Sequence, residues 1–180
     1  VCTKYDMPLF IDGARLGYAL TATGNDVTLE DIARIADVFY IGGTKVGAMF
    51  GEAVVFTHGN MPKNFVTLVK QHGALLAKGW LLGVQFDTLF TDDLYCRIAR
   101  HANDAADRIR EVLGERGYTL TFDAPTNQIF ITLDNATSER LQRNVRLGFM
   151  EKADDTHTVM RICTSWATTD EQVEQLIALL

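Results

Sequence analysis

Apolar residues come in three short blocks near the start of the chain. Pro8-Leu-Phe-Ile11 runs into Asp12, Asp37-Val-Phe-Tyr-Ile41 runs into Gly42-Gly43, and Ala53-Val-Val-Phe56 forms the third. Runs this short, bounded by glycine or a carboxylate, predict buried strands. Between the first two, residues 28–36 carry apolar side chains at helical spacing. Thr28 stands as the cap and Asp31 in the capping-box position. Strand, helix and strand with short links predict a parallel sheet.

Residues 64–90 are apolar with helical spacing, interrupted by Gly73, Gly79 and Gly83. Small residues inside a helix allow close packing of helices. A longer amphipathic helix is expected over 92–116, capped by Thr91 or Asp92 and ended by Gly117. Beyond Gly117 the pattern changes. Residues 118–122 and 128–133 read as strands around the turn signal Ala124-Pro-Thr-Asn127. Residues 138–146 read as a helix, 148–150 and 158–163 as strands, and 170–180 as a helix capped by Thr169 with Gln172 in the box position. The expected fold class is α/β: part of a larger, mostly parallel domain over residues 1–90, then a small α+β domain over 91–180.

Composition narrows the function classes. Of 180 residues 47% are hydrophobic and 22% charged, an ordinary globular balance. The net charge is −6 and the pI about 5.1, which argues against nucleic acid as a partner. No apolar run approaches the roughly 18 residues of a membrane span. Cys2, Cys96 and Cys163 form no CxxC pair, which fits a reducing cytoplasm. The chain opens on Val1 and enters its first strand almost at once. It is therefore expected to be the C-terminal portion of a longer protein.

Three residues stand out chemically. Asp12, in Phe10-Ile-Asp-Gly-Ala-Arg15, is a carboxylate at the end of a strand, where α/β proteins bind ligands; a helix-capping Asp is the plain alternative. Lys45, in Ile41-Gly-Gly-Thr-Lys-Val-Gly47, lies between small residues after a buried strand. Partial desolvation there would free its amine for carbonyl chemistry, while a solvated loop lysine remains the alternative. The order Thr-Lys rules out a P-loop. Arg161 interrupts the alternating strand Val159-Met-Arg-Ile-Cys163, as a carboxylate clamp or as an edge-strand charge. His58, His101 and His157 have no partner at metal-ligand spacing, so no metal site is expected. Neither of the two serines, Ser138 and Ser165, lies in a Gly-x-Ser-x-Gly elbow.

An Asp at one strand end and a Lys after the next strand suit pyridoxal 5'-phosphate (PLP), whose ring nitrogen needs a carboxylate and whose aldehyde needs an amine. Ile11-Asp-Gly-Ala-Arg15 together with Gly42-Gly-Thr-Lys45 resembles the low-specificity threonine aldolase and β-eliminating lyase group of fold-type-I PLP enzymes. The likeness extends through Lys70-Gln-His-Gly-Ala-Leu-Leu-Ala-Lys78 to Met160-Arg-Ile-Cys-Thr-Ser-Trp166.

The resemblance implies Asp12 as partner of the pyridinium nitrogen and Lys45 as the Schiff-base lysine. It implies Arg15 and Arg161 as ligands of the substrate carboxylate, and Lys78, less surely Lys70, near the cofactor phosphate from an adjacent subunit. It also implies a homodimer or homotetramer. The expected reaction is retro-aldol cleavage of a threonine-like β-hydroxy amino acid to glycine and an aldehyde. A β-eliminating lyase, a transaminase on the same scaffold, or a non-catalytic fragment are the alternatives. The family's phosphate-binding glycine loop and ring-stacking aromatic precede the Asp-Gly-Ala-Arg segment. The 180 residues alone are therefore expected to carry no PLP, and to cover their open sheet with another copy or to aggregate.

Overall fold

The computed structural model describes residues 1–180. They divide into two compact units, residues 1–20 with 26–97 and residues 21–25 with 98–180.

The first unit contains β1 (Phe10–Ile11), α1 (Leu16–Leu20), α2 (Leu29–Ile35), β2 (Val38–Gly42), β3 (Glu52–Phe56), α3 (Phe65–Gln71) and α4 (Trp80–Phe90). The capping box forms as the sequence predicts. Thr28 Oγ1 accepts from the Asp31 amide at 3.2 Å, and the Thr28 amide donates to the Asp31 carboxylate at 3.0 Å. β1 and β2 pair in parallel, with Ile11 opposite Phe39. β3 runs antiparallel to β2, from Val38 opposite Phe56 to Gly42 opposite Glu52. The sheet expected to be parallel is thus mixed. Residues 43–51 contain no helix, and a parallel crossover needs about a dozen or more residues, so the chain turns straight back.

The apolar stretch 64–90 is two helices, broken at residues 72–79, where Gly73 takes φ 70°. Leu89 alone among their residues is fully buried, and Val66, Trp80 and Val84 are exposed. The core of this unit is built instead from Leu16, Tyr18, Ile32, Phe39, Ile41 and Val46.

The next helix, α5 (Leu94–Glu115), starts later than expected. Thr91 does not cap it: its hydroxyl donates to the Asp87 carbonyl at 2.8 Å and so closes α4. Asp92 and Asp93 take left-handed backbone angles, φ 51° and 56°, which short polar side chains tolerate, and α5 begins after them. Its far end is a Schellman motif. The Gly117 amide bonds to the Gly114 carbonyl at 3.1 Å, and the Tyr118 amide to the Leu113 carbonyl at 2.9 Å. Gly117 supplies the required positive φ of 75°.

The second unit continues with β4 (Thr119–Leu120), β5 (Gln128–Asp134), α6 (Asn135–Gln142), β6 (Gly148–Lys152), β7 (His157–Cys163) and α7 (Asp170–Leu179). Its sheet has the order β4-β5-β7-β6 and is antiparallel throughout. One face carries Ile129, Ile131, Leu133, Met160 and Ile162 into a core shared with Ala106, Ile109 and Leu113 of α5 and Val173 of α7. Residues of the opposite parity, Gln128, Phe130, Arg161 and Cys163, stay at least partly open to solvent. α6 starts earlier than the sequence suggests because Asp134 caps it, accepting from the Thr137 amide at 2.9 Å. Thr169 and Gln172 form the expected capping box of α7. No helix is long and apolar enough to cross a membrane.

Leu113 is fully buried where α5 meets this sheet. Leu113→Ala should lower stability by about 2–5 kcal/mol, read as a reduced urea midpoint at unchanged slope. A shift within error would mean that the α5–sheet core is not the main support of the second unit.

Candidate active site

The turn after β1 lies hard against the end of β2. The Gly42 amide donates to the Gly13 carbonyl at 2.9 Å. A Cβ on Gly13 would fall 1.7 Å from the Tyr40 carbonyl oxygen, and one on Gly42 2.3 Å from that of Ala14. Only glycine fits at either position. The approach fixes where Asp12 leaves the strand. Asp12 Oδ1 accepts from the Ala14 amide at 3.0 Å and from the Tyr40 hydroxyl, while Oδ2 has no partner within the chain. The Tyr40 bond, and then the Ala14 bond, hold the Asp12 carboxyl below its ordinary 3.8. The positive charges of Lys45 and Arg15 act in the same direction. The same hydrogen bond pushes the Tyr40 phenol up to about 12.

The loop after β2 is clamped through its backbone. The Gly43 amide donates to Glu52 at 2.8 Å, and the Val46 and Ala48 amides return to the Gly43 carbonyl at 2.9 and 3.0 Å. The Tyr18 hydroxyl donates to the Lys45 carbonyl. Tyr95 bridges the two segments from within the core, accepting from the Gly17 amide at 3.1 Å and donating to the Gly42 carbonyl at 2.9 Å. Burial raises its phenol far above the ordinary range. Val46, wholly buried, anchors the loop. The Lys45 side chain itself is exposed, and its ammonium has no hydrogen bond or ion pair within the chain. Buried neighbours hold the backbone while the side chain projects outward.

Asp12, Arg15 and Lys45 thus come together at one end of the first sheet, close enough for both cations to act on the carboxylate. Arg15 is half-buried. Lys70 on α3 and Lys78 in the break before α4 are exposed. Arg161 lies in the second unit, on a strand flanked on both sides: Phe130 of β5 and Gly148 of β6 are its register partners. It is not an edge-strand charge. Its Nη1 donates to Gln128 Oε1 at 3.0 Å, and its Nε is buried with no partner. Tyr40, Tyr18, Tyr95, Glu52 and Gln128 support these groups and were not singled out in the sequence. Alternation was the available signal for Tyr40, since Phe39 and Ile41 fill the buried parity of β2 and leave Tyr40 on the other. No group of three or more His, Cys, Asp or Glu side chains is placed to hold a metal.

This donor set fits part of PLP. Asp12 offers an unpartnered anionic oxygen for a ring N–H, Lys45 an accessible primary amine for an aldehyde, and the Gly13–Gly42 contact leaves no side chain standing between the two segments.

Comparison with known proteins agrees. The family model for beta-eliminating lyases matches residues 1–139, so the chain belongs to that family. The low specificity L-threonine aldolase of Pseudomonas aeruginosa is 29% identical over 176 residues, which cover 97% of this chain and 50% of the relative. That of a Pseudomonas species is 29% identical over 178 residues, 98% of this chain and 51% of the relative. The chain spans about half the length of the curated relatives it matches. The structure of Leishmania major threonine aldolase superposes with a TM-score of 0.95 at 40% identity, over 99% of this chain and 52% of that one. Sphingomonas wittichii serine palmitoyltransferase, at 18% identity and a TM-score of 0.67, shares the fold. Threonine aldolases are PLP-dependent enzymes.

Gly42→Ala should destabilise the chain by at least about 1–3 kcal/mol, because backbone oxygen rather than a flexible side chain meets the new methyl. Gly83→Ala is the contrast. Gly83 lies in α4 with nothing near its absent Cβ, and alanine there should gain about 0.5–1 kcal/mol. Urea unfolding of both variants reads the difference. A tolerated Gly42→Ala would refute the close approach.

Proposed function

We propose that this member of the beta-eliminating lyase family carries the lysine, the ring-nitrogen carboxylate and the carboxylate-binding arginines of a PLP-dependent aldolase acting on threonine-like β-hydroxy amino acids. The first unit is then the C-terminal part of the large PLP-binding domain, and the second unit the small α+β domain. The observation that carries this reading is the meeting of Asp12 and Lys45 across the Gly13–Gly42 contact. The threonine aldolase relatives support the choice of reaction.

The net reaction breaks the Cα–Cβ bond of the amino acid. The hydroxyl proton and the aldehyde leave, and Cα takes up a proton to give glycine. PLP, when bound, supplies an electron sink for charge at Cα. Asp12 would hold a negative oxygen against the ring nitrogen and so keep the proton there on the ring. Lys45 would hold the aldehyde end by its amine. Arg15 and Arg161 each offer a guanidinium to a carboxylate. Arg161 is prepared for this by its unsatisfied Nε and by Gln128, which fixes one arm of the fork. Lys78 is a further cation for the cofactor phosphate, approaching from an adjacent subunit of a homodimer or homotetramer.

The family's own name favours a second reading, β-elimination, and product analysis separates the two. Threonine should yield glycine and acetaldehyde with the full-length protein, whereas elimination yields 2-oxobutanoate and ammonia. Borohydride treatment of the PLP-loaded protein should fix the cofactor on Lys45; a label mapped to another lysine removes Lys45 from the role. Arg161→Ala should weaken amino-acid binding by roughly 2–5 kcal/mol, the scale for losing one partner of a buried charge pair, while PLP absorbance persists. Unchanged affinity for the amino acid would sink the assignment of Arg161.

A further inference from the structure

The Asp12 carboxylate is not presented symmetrically. Both donors that reach it, the Ala14 amide and the Tyr40 hydroxyl, bond to Oδ1, and Oδ2 is left open. The Ala14 bond is a local turn contact, formed two residues along the chain. The Tyr40 bond is different. It comes from β2, across the β1–β2 pairing, and ties the carboxylate to the strand that leads into the Lys45 loop. Tyr40 is itself held in place: its ring packs against Phe10 with centroids 6.1 Å apart, and its backbone pairs with Val54 of β3. A phenol on a paired strand has little freedom to follow a wandering carboxylate. It therefore selects one rotamer of Asp12.

We propose that Tyr40 is the positioning residue of Asp12, occupying Oδ1 so that Oδ2 is the one oxygen presented to a cationic ring N–H. This rests on the reading of Asp12 as the ring-nitrogen partner, and it adds a residue that reading does not contain. Tyr40 touches neither cofactor nor substrate in this role; it acts through Asp12. Two consequences follow from a neutral hydroxyl donating to the anion. The carboxylate stays ionised, so it remains an acceptor, and it becomes a weaker base, so a proton shared with a ring nitrogen stays on the ring. Losing the hydroxyl leaves Oδ1 with the Ala14 amide alone and lets the carboxylate turn.

The first test uses the 180-residue chain without cofactor. Carbon-13 NMR follows the Asp12 carboxyl through an acid titration in the wild type and in Tyr40→Phe, which keeps the ring against Phe10. The wild-type carboxyl should titrate below its ordinary 3.8, and Tyr40→Phe should move it upward. Superimposable titrations would overturn the proposal. Should Tyr40→Phe fail to fold, the Tyr40 ring carbon in the wild type carries the test. Tyr40 should titrate near 12 against an ordinary 10, and an ordinary value would overturn the proposal equally. The second test uses the full-length protein. PLP affinity should fall roughly 2–10-fold in Tyr40→Phe and roughly 10–100-fold in Asp12→Asn, the ranges expected for a neutral and a charged hydrogen bond. If Asp12→Asn leaves PLP affinity unchanged, the ring-nitrogen reading fails, and the inference built on it falls too. If Asp12→Asn weakens PLP but Tyr40→Phe matches the wild type, the reading stands and Tyr40 has no positioning role.

Discussion

Two glycines facing each other across a strand end set the geometry of everything chemical in the first unit. Gly13 and Gly42 bring the turn after β1 and the end of β2 to backbone hydrogen-bond distance, with no room for a Cβ at either position. Asp12 precedes one glycine and Lys45 follows the other within the same loops. The separation of the two backbone positions, Asp12 and Lys45, is therefore set by main-chain contact rather than by side-chain packing.

A second set of interactions keeps the loops from swinging once the glycines are in place. Tyr95 spans Gly17 and Gly42, Tyr18 holds the Lys45 carbonyl, and Glu52 takes the Gly43 amide. Each is a polar tip on a side chain whose body is anchored in the core or the sheet. The two tyrosines are almost wholly buried, and each hydroxyl finds a backbone partner there, which makes a buried phenol tolerable. The backbone of the loop is consequently rigid while Lys45 itself reaches outward. The Lys45 amine is accessible to solvent.

Much of this was legible in the sequence, for reasons specific to each element. Thr28 with Asp31 and Thr169 with Gln172 announced helix starts because capping is a local interaction, complete within four residues. β5 was legible because one face is buried and its alternation is clean. The antiparallel return of β3 was open to the sequence as well, since residues 43–51 are too few for a parallel crossover, but apolar pattern alone does not give strand direction. The break at residues 72–79 and the start of α5 were missed because they depend on left-handed residues, Gly73, Asp92 and Asp93, that composition does not announce. Asp12, Lys45 and Arg161 stood out by residue type and place. Tyr40 and Gln128 did not, because a supporting side chain is defined only by what it touches. Arg161 was left open between clamp and edge charge; its strand order, flanked by β5 and β6, removed the second.

The Asp12–Tyr40 pair also fixes the pH range over which the arrangement exists. The Asp12 pKa is depressed in the fold, so its contribution is present above the ordinary 3.8 and is lost as pH falls through the lowered value. The Tyr40 pKa is raised, so its contribution is present below the ordinary 10 and is lost as pH rises through about 12. Between these limits the phenol is the donor and the carboxylate the acceptor, and neither changes charge. Lys45 and Arg15 add positive charge on the Asp12 side of the pair, which favours the anion further at the acid end. Any pH dependence near neutrality must therefore arise outside this pair. Asp12 and Tyr40 form a fixed frame across that range, with the charge of Asp12 constant while protons move elsewhere.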